Sequence, residues 1–73
     1  MEERICDLVK RILETDEEIT IETEIEDVDE WDSFGQVAIM SEIEKCFQIK
    51  ISYEDMITMN SIKTIIKVVE KYV

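Results

Sequence analysis

The 73-residue chain contains no proline, no histidine and only one glycine, and each absence narrows what the protein can be. Tight hairpins rely on glycine and proline, so the composition and the lack of a hairpin turn signal argue against a substantial sheet. Without histidine, the chain lacks the usual base that activates a serine nucleophile and a common zinc ligand. We therefore expect a helical protein with no histidine-dependent catalytic residues and no zinc site.

Long apolar runs are also absent. No segment approaches the ~20 apolar residues that are needed to span a bilayer. The first residues, MEERICDLVKR, lack the basic-then-apolar order of a secretory signal. We therefore expect a cytoplasmic monomer without membrane insertion, folded as one domain over residues 1–73.

Basic residues are scarce, and their distribution is uneven. Eight lysines and arginines against 19 acidic residues give a net charge of -11, and no basic residue occurs from Ile12 to Glu44. One side of the fold should therefore be strongly negative. Such a charge disfavours nucleic acid and anionic membranes, and it favours protein partners with basic patches.

The two cysteines, Cys6 and Cys46, both fall within apolar helical patterns. In a chain without a signal sequence, two cysteines are weak support for a disulfide. We expect both to be buried, reduced thiols that pack as small hydrophobic side chains.

The acidic run contains the start of a calcium-loop spacing at Asp27 and Asp29. The position that requires glycine would be Asp32, and the position of the bidentate glutamate would be Ala38. A dedicated calcium site is therefore not expected, although loose divalent binding to the crowded carboxylates stays open.

The helical spacing of apolar residues predicts four helices with a long, ordered first loop from Thr15 to Asp32. The predicted helices run from Glu2 to Glu14, from Asp32 or Ser33 through Phe47, from Ser52 through Ile57, and from Asn60 or Ser61 through Val73. The third should have only about two turns. The predicted fold class is all-α, a small four-helix bundle with a long first loop and a short third helix.

The predicted core consists of the apolar residues on these helical stripes and the apolar residues of the loop. They are Ile5, Leu8, Val9, Ile12 and Leu13; Ile19, Ile21, Ile25, Val28 and Trp31; Phe34, Val37, Met40, Ile43 and Phe47; and Ile62, Ile65, Ile66, Val69 and Val73.

One hydroxyl, Ser33, lies where the acidic loop meets the second helix. No histidine can take its proton, and no Ser-x-x-Lys arrangement follows it, so a nucleophilic role is excluded. A serine at this position is a good N-cap, and Asp32 is an equally good one.

The stretch EWDSFGQVAIM, from Glu30 to Met40, resembles the prosthetic-group attachment region of acyl carrier proteins. In that family, Asp-Ser followed by a large apolar residue opens the second of four helices, as the run from Asp32 to Phe34 does here. Glu44 and Phe47 fall where the family carries an acid and an aromatic residue. The resemblance covers nearly the whole chain, and it implies a bundle of acyl-carrier type.

The resemblance also implies the cofactor and its partners. A phosphopantetheinyl transferase would attach 4'-phosphopantetheine covalently to Ser33, between Asp32 and Phe34. The terminal thiol would then carry an acyl or aminoacyl group as a thioester. A ligase would load this group, and a downstream acyltransferase or synthase would receive it, while the carrier itself makes and breaks no bonds.

The resemblance further implies two sets of residues around the attachment site. The residues expected to meet basic docking patches on partner enzymes are Asp29, Glu30, Glu42 and Glu44. The residues expected to pack in the core and to line a pocket for the acyl group are Met40, Ile43, Phe47, Ile57 and Ile62.

The branch of the family stays open. Fatty-acid synthesis carriers usually place acids shortly after the serine, where this chain has Gly35, Gln36 and Ala38. The run DSFG resembles the corresponding run in D-alanyl carrier proteins. A tryptophan before Asp-Ser, as Trp31 is here, resembles the pattern in stand-alone carriers of specialised pathways. The rival interpretation is an unmodified acidic helical interaction module, in which Ser33 serves only as a helix cap.

Overall fold

A computed structural model describes all residues from Met1 to Val73, and it shows a helical molecule with no strand. Four α-helices follow in order, with a 3-10 helix at Ile25–Asp27 inside the first loop. They are α1 (Glu2–Leu13), α2 (Ser33–Phe47), α3 (Tyr53–Met56) and α4 (Ile62–Tyr72). The predicted all-α bundle with a long first loop and a short third helix is confirmed.

Helix α1 follows the predicted apolar stripe. Its buried residues are Ile5, Leu8, Val9 and Leu13. It ends at Leu13 because Glu14 adopts the left-handed conformation, with φ at 52°, and closes the last turn through its N–H to the carbonyl of Arg11. The predicted end was one residue too late.

Helix α4 begins after Ser61, one of the two predicted caps. The Ser61 hydroxyl accepts from the N–H of Thr64 at 3.1 Å, and the Thr64 hydroxyl accepts from the N–H of Ser61 at 3.0 Å. This reciprocal pair satisfies two donors at the start of the helix. The buried residues of α4 are Ile62, Ile65, Val68 and Val69. Val73 was predicted in the core but is exposed.

Helix α2 buries Met40 and Ile43 of its predicted stripe, but not the first residues of that stripe. Its buried residues are Ile39, Met40 and Ile43. Phe34 and Val37, both predicted in the core, are 86% and 61% exposed. Apolar side chains surround most of this helix, so their spacing alone does not identify the face that packs against α1.

The first loop is ordered by its apolar residues and by main-chain hydrogen bonds. Ile19, Val28 and Trp31 are buried, as predicted. The N–H of Ile62 donates to the carbonyl of Thr23 at 3.0 Å, and the N–H of Ile25 donates to the carbonyl of Asn60 at 2.9 Å. These bonds fasten the loop to the connection between α3 and α4, around a single antiparallel bridge of Glu24 and Ser61.

Helix α3 is a single turn, shorter than predicted. Ser52 caps it by accepting from the N–H of Asp55 at 3.2 Å, as predicted. None of its residues is buried. Its attachment to the body of the protein therefore depends on polar contacts with α4 in addition to the partial burial of Met56.

Fifteen buried apolar residues from α1, α2, α4 and the loops form one hydrophobic cluster. The prediction that both cysteines are buried was wrong: Cys6 is half-buried and Cys46 is exposed. Both are free thiols, and burial raises the pKa of Cys6. None of the helices is both long and apolar enough to cross a bilayer.

Candidate functional site

Ser33 is the first residue of α2, and its side chain is exposed. The cap of this helix is Asp32, whose Oδ1 accepts from the N–H of Gly35 at 2.8 Å. The carbonyl of Asp32 accepts from the N–H of Gln36, also at 2.8 Å. The capping role considered for Ser33 is therefore wrong, and the Ser33 hydroxyl makes no hydrogen bond within the chain.

The start of α2 suits a phosphate ester on that hydroxyl. The N–H groups of Ser33 and Phe34 have no carbonyl partner in the preceding segment. Free N–H groups and the positive end of the helix dipole both stabilise a phosphate at this position.

An open groove of about 550 Å³ adjoins Ser33. It lies between the start of α2, the 3-10 helix, and α3 with the connection that follows it. Its lining residues are Ile25, Asp32, Ser33, Gln36, Met56, Ile57 and Asn60. This mixture of polar and apolar groups matches phosphopantetheine, which has two amides, one hydroxyl and a hydrocarbon backbone. The residues present therefore fit the cofactor that the sequence implies.

Gln36 lines this groove, and both the oxygen and the nitrogen of its amide are hydrogen-bonded. Its Oε1 accepts from the indole N–H of Trp31 at 2.6 Å, and its Nε2 donates to the carbonyl of Met59 at 2.9 Å. Trp31 is only 3% exposed. The sequence analysis assigned no role to Gln36. The one feature that could have indicated a role is an amide side chain in the first turn of an otherwise apolar helix.

Gly35 lets the start of α2 lie close to the main chain of Glu30 and to the side chain of Leu13. A Cβ atom at this position would lie 2.6 Å from the carbonyl oxygen of Glu30 and 2.7 Å from Cδ2 of Leu13. The absence of an acid here, noted as a departure from fatty-acid synthesis carriers, thus follows from packing.

The four predicted docking acids lie in different environments. Asp29 and Glu30 are exposed on the loop before Ser33. Glu42 accepts from the Cys46 thiol at 3.4 Å and from Arg11 at 3.4 Å, and these contacts lower the pKa of its carboxyl.

Glu44 has a role inside the fold that the sequence analysis missed. Its Oε2 accepts from the N–H of Ile51 at 2.8 Å. This bond fixes the segment that leaves α2. The structure therefore engages Glu42 and Glu44 in internal contacts and leaves only Asp29 and Glu30 without such partners.

The exposed apolar side chains are concentrated near Ser33. Apart from the terminal residues Met1 and Val73, the large exposed apolar residues are Phe34, Val37, Tyr53 and Ile57. We call three of them, Phe34, Val37 and Ile57, the apolar collar. Phe34 adjoins Ser33 in the chain, Val37 lies one turn along α2, and Ile57 lines the groove beside Ser33. All three collar residues, Ile57 included, had been assigned to the core from sequence, and their exposure corrects that assignment.

The five residues expected around an acyl pocket do not surround one cavity. Met40, Ile43 and Ile62 are buried in the core. Phe47 lies at the far end of α2, where the guanidinium of Arg4 stacks 4.5 Å from its ring centre. Only Ile57 lines the groove next to Ser33.

Acidic side chains and thiols do not converge in a metal site. No group of three Asp, Glu or Cys side chains is arranged so that it could hold a metal ion. The exposed acids of the first loop are spread along it instead of meeting at a point.

Comparisons with known proteins agree with this geometry. The family model for the phosphopantetheine attachment site matches residues 3–69. A structure from Mycobacterium tuberculosis, assigned as an acyl carrier protein, is 30% identical and has a TM-score of 0.84, covering 96% of this chain and 95% of that one.

A second similar structure is the holo acyl carrier protein from Geobacter metallireducens. Its TM-score is 0.82 at 18% identity, covering 94% of this chain and 80% of that one, and it supports the fold alone. No curated protein sequence matches the chain at a significant level. The family match nevertheless spans nearly the whole sequence. The chain therefore belongs to the acyl carrier protein family, whose members bear covalent 4'-phosphopantetheine and are carriers, not enzymes.

Proposed function

We propose that residues 1–73 form a carrier domain that bears 4'-phosphopantetheine on the Oγ of Ser33. The observation that carries the proposal is the exposed Ser33 hydroxyl, free of hydrogen bonds, at the start of α2 and beside a groove. When bound, the group supplies a terminal thiol that holds an acyl or aminoacyl group as a thioester.

The residues around Ser33 orient the attachment point and do not activate it. The Asp32 carboxylate accepts from the N–H of Gly35, which keeps the first turn of α2 in place. The chain has no histidine. With Asp32 engaged in the helix cap, we assign the base that removes the Ser33 proton to the transferase, which breaks the phosphoanhydride bond of coenzyme A and releases adenosine bisphosphate.

The proposed docking surface for partner enzymes is the apolar collar, with Asp29 and Glu30 at its edge. Any enzyme that acts on a group attached to Ser33 must approach this face, and clustered exposed apolar side chains commonly mark interaction sites. The partners are the transferase, a loading ligase and a downstream acyltransferase or synthase, each with an apolar recess and basic residues around it. The proposal includes a monomeric carrier in the cytoplasm, where coenzyme A is available.

Incubation with coenzyme A and a broad-specificity transferase tests the attachment site. The intact mass should increase by one phosphopantetheinyl group, and Ser33→Ala should remain unmodified. Ser41→Ala is the matched control, because Ser41 is another exposed serine on α2. Circular dichroism would verify that both variants fold.

Two results would contradict the attachment proposal. One is modification of the Ser33→Ala variant, which would place the group on another residue. The other is a wild-type protein that several different transferases leave unmodified.

A further inference from the structure

We propose that Gln36 closes the interior of the bundle to the acyl chain, so that this carrier serves short or polar acyl groups, aminoacyl groups included, that stay in the surface groove. The proposal rests on attachment at Ser33. It assigns Gln36 as a residue that determines which acyl groups the carrier accommodates.

The first argument is the position of Gln36 on α2. Ser33, Gln36, Met40 and Ile43 follow one another at three- and four-residue steps, so they lie along one side of the helix. Gln36 lines the groove, whereas Met40 and Ile43 are buried in the core. A chain tethered at Ser33 and directed inward along α2 would therefore meet Gln36 before it reached the core.

The second argument is that Gln36 is fastened to two separate segments. The Trp31 indole N–H is buried and has the Gln36 amide oxygen as its acceptor. On the other side, the Gln36 amide nitrogen donates to the carbonyl of Met59, before α4. Moving the side chain aside would leave a buried donor unpaired and would remove the link that Gln36 makes between Trp31 and Met59.

The third argument is the chemistry of the groove and of the core behind it. Four of the seven lining residues, Asp32, Ser33, Gln36 and Asn60, are polar. A short or polar group can stay in this surface groove, next to Asp32 and Asn60, without displacing the packed core. The side chains behind Gln36, including Ile39, Ile43 and Met59, are fully buried.

The test uses the full chain loaded at Ser33 with amide-linked acetyl or octanoyl analogues of acyl-coenzyme A. The melting temperature and the emission of Trp31, the single tryptophan, are the measurements. In the wild type, both should be the same for the two acyl groups. In Gln36→Leu, the octanoyl form should melt at least about 5 °C above the acetyl form, because burial of methylene groups stabilises a small domain. Trp31 emission should shift with it.

Ser41→Leu is the matched control, since it places the same side chain at an exposed position of α2 and should show no dependence on acyl length. Gln36→Met, which also lacks both hydrogen-bonding groups, replaces Gln36→Leu if the latter does not fold.

Two outcomes overturn the proposal: an octanoyl chain that stabilises the wild type as much as the variant, or a folded Gln36 variant that stays insensitive to acyl length. Failure of the proposed attachment is distinguishable, because no mass would be added before the acyl groups are compared.

Discussion

Gly35 illustrates how a single residue next to the attachment site is constrained by packing. The Cβ of any other residue would lie 2.6 Å from the carbonyl oxygen of Glu30. Backbone atoms would have to move to relieve this clash. Glu30 belongs to the loop that leads into Ser33. A change at Gly35 would therefore displace both the loop and the start of α2.

We predict that Gly35→Ala destabilises the protein by about 1–3 kcal/mol, the usual cost of overpacking. The melting temperature in thermal denaturation would measure this loss. Ser41→Ala, at an exposed position on the same helix, should leave stability nearly unchanged. An exposed helix glycine would respond in the opposite way and gain stability from alanine. A higher melting temperature for Gly35→Ala would therefore show that the close approach is absent.

At the scale of elements, α3 is held in place by a polar network at its junction with α4. Asp55 accepts from Lys71 at 2.8 Å and from the Tyr72 hydroxyl at 2.6 Å. The Tyr72 oxygen also accepts from the N–H of Ser52 at 3.0 Å. Since α3 buries no residue and forms one wall of the groove, this network sets the position of that wall.

The network makes the attachment of α3 sensitive to acid. Lys71, followed by Tyr72, lowers the pKa of Asp55 below its ordinary value of 3.8. A carboxyl whose pKa is lower in the folded state contributes stability above its unfolded pKa and loses that contribution as the pH falls through the folded value.

We therefore predict that Asp55→Asn lowers the melting temperature near neutral pH, and that the difference from wild type shrinks as the pH falls below 3.8. Thermal denaturation across this range is the measurement. Glu54→Gln, an exposed neighbour on α3, serves as the control and should show little change. A difference for Asp55→Asn that stays constant at all pH values would mean that the carboxylate does not act through its charge.

The elements differ in how well their sequence predicts them. Helices α1 and α4 each have a single apolar side, and most of the core residues predicted on them are buried. Around α2, apolar residues lie on several sides, and only packing in the folded core selects Ile39, Met40 and Ile43 for burial. Periodicity therefore could not show that Phe34 and Val37 are exposed.

The candidate site was predictable only in part, for a related reason. Asp32, Ser33 and Phe34 form a contiguous pattern that is visible in the sequence. The Trp31–Gln36–Met59 hydrogen bonds and the bond from Ile51 to Glu44 join residues that meet only after folding. Whether an acid serves a partner or the fold itself cannot be determined from its position in the sequence.

For the whole molecule, charge and apolar surface are separated near Ser33. Of the four predicted docking acids, the two without internal partners, Asp29 and Glu30, lie on the loop, whereas the exposed side of α2 presents Phe34 and Val37. Long-range attraction from a net charge of -11 accelerates encounters with basic partners, and salt screens it. Contacts of the apolar collar act only after docking and are much less sensitive to salt.

We predict that Val37→Lys lowers the kcat/KM of phosphopantetheine transfer about tenfold, the effect of losing one apolar contact at the centre of an interface. The loss should persist at high salt. Val73→Lys makes the same change at another exposed valine, away from Ser33, and should have little effect. By contrast, Asp29→Asn combined with Glu30→Gln should slow transfer at low salt and match the wild type at high salt. Equal rates for Val37→Lys and Val73→Lys would show that the transferase does not contact this face of α2, and would leave the loop acids as the main determinant of docking.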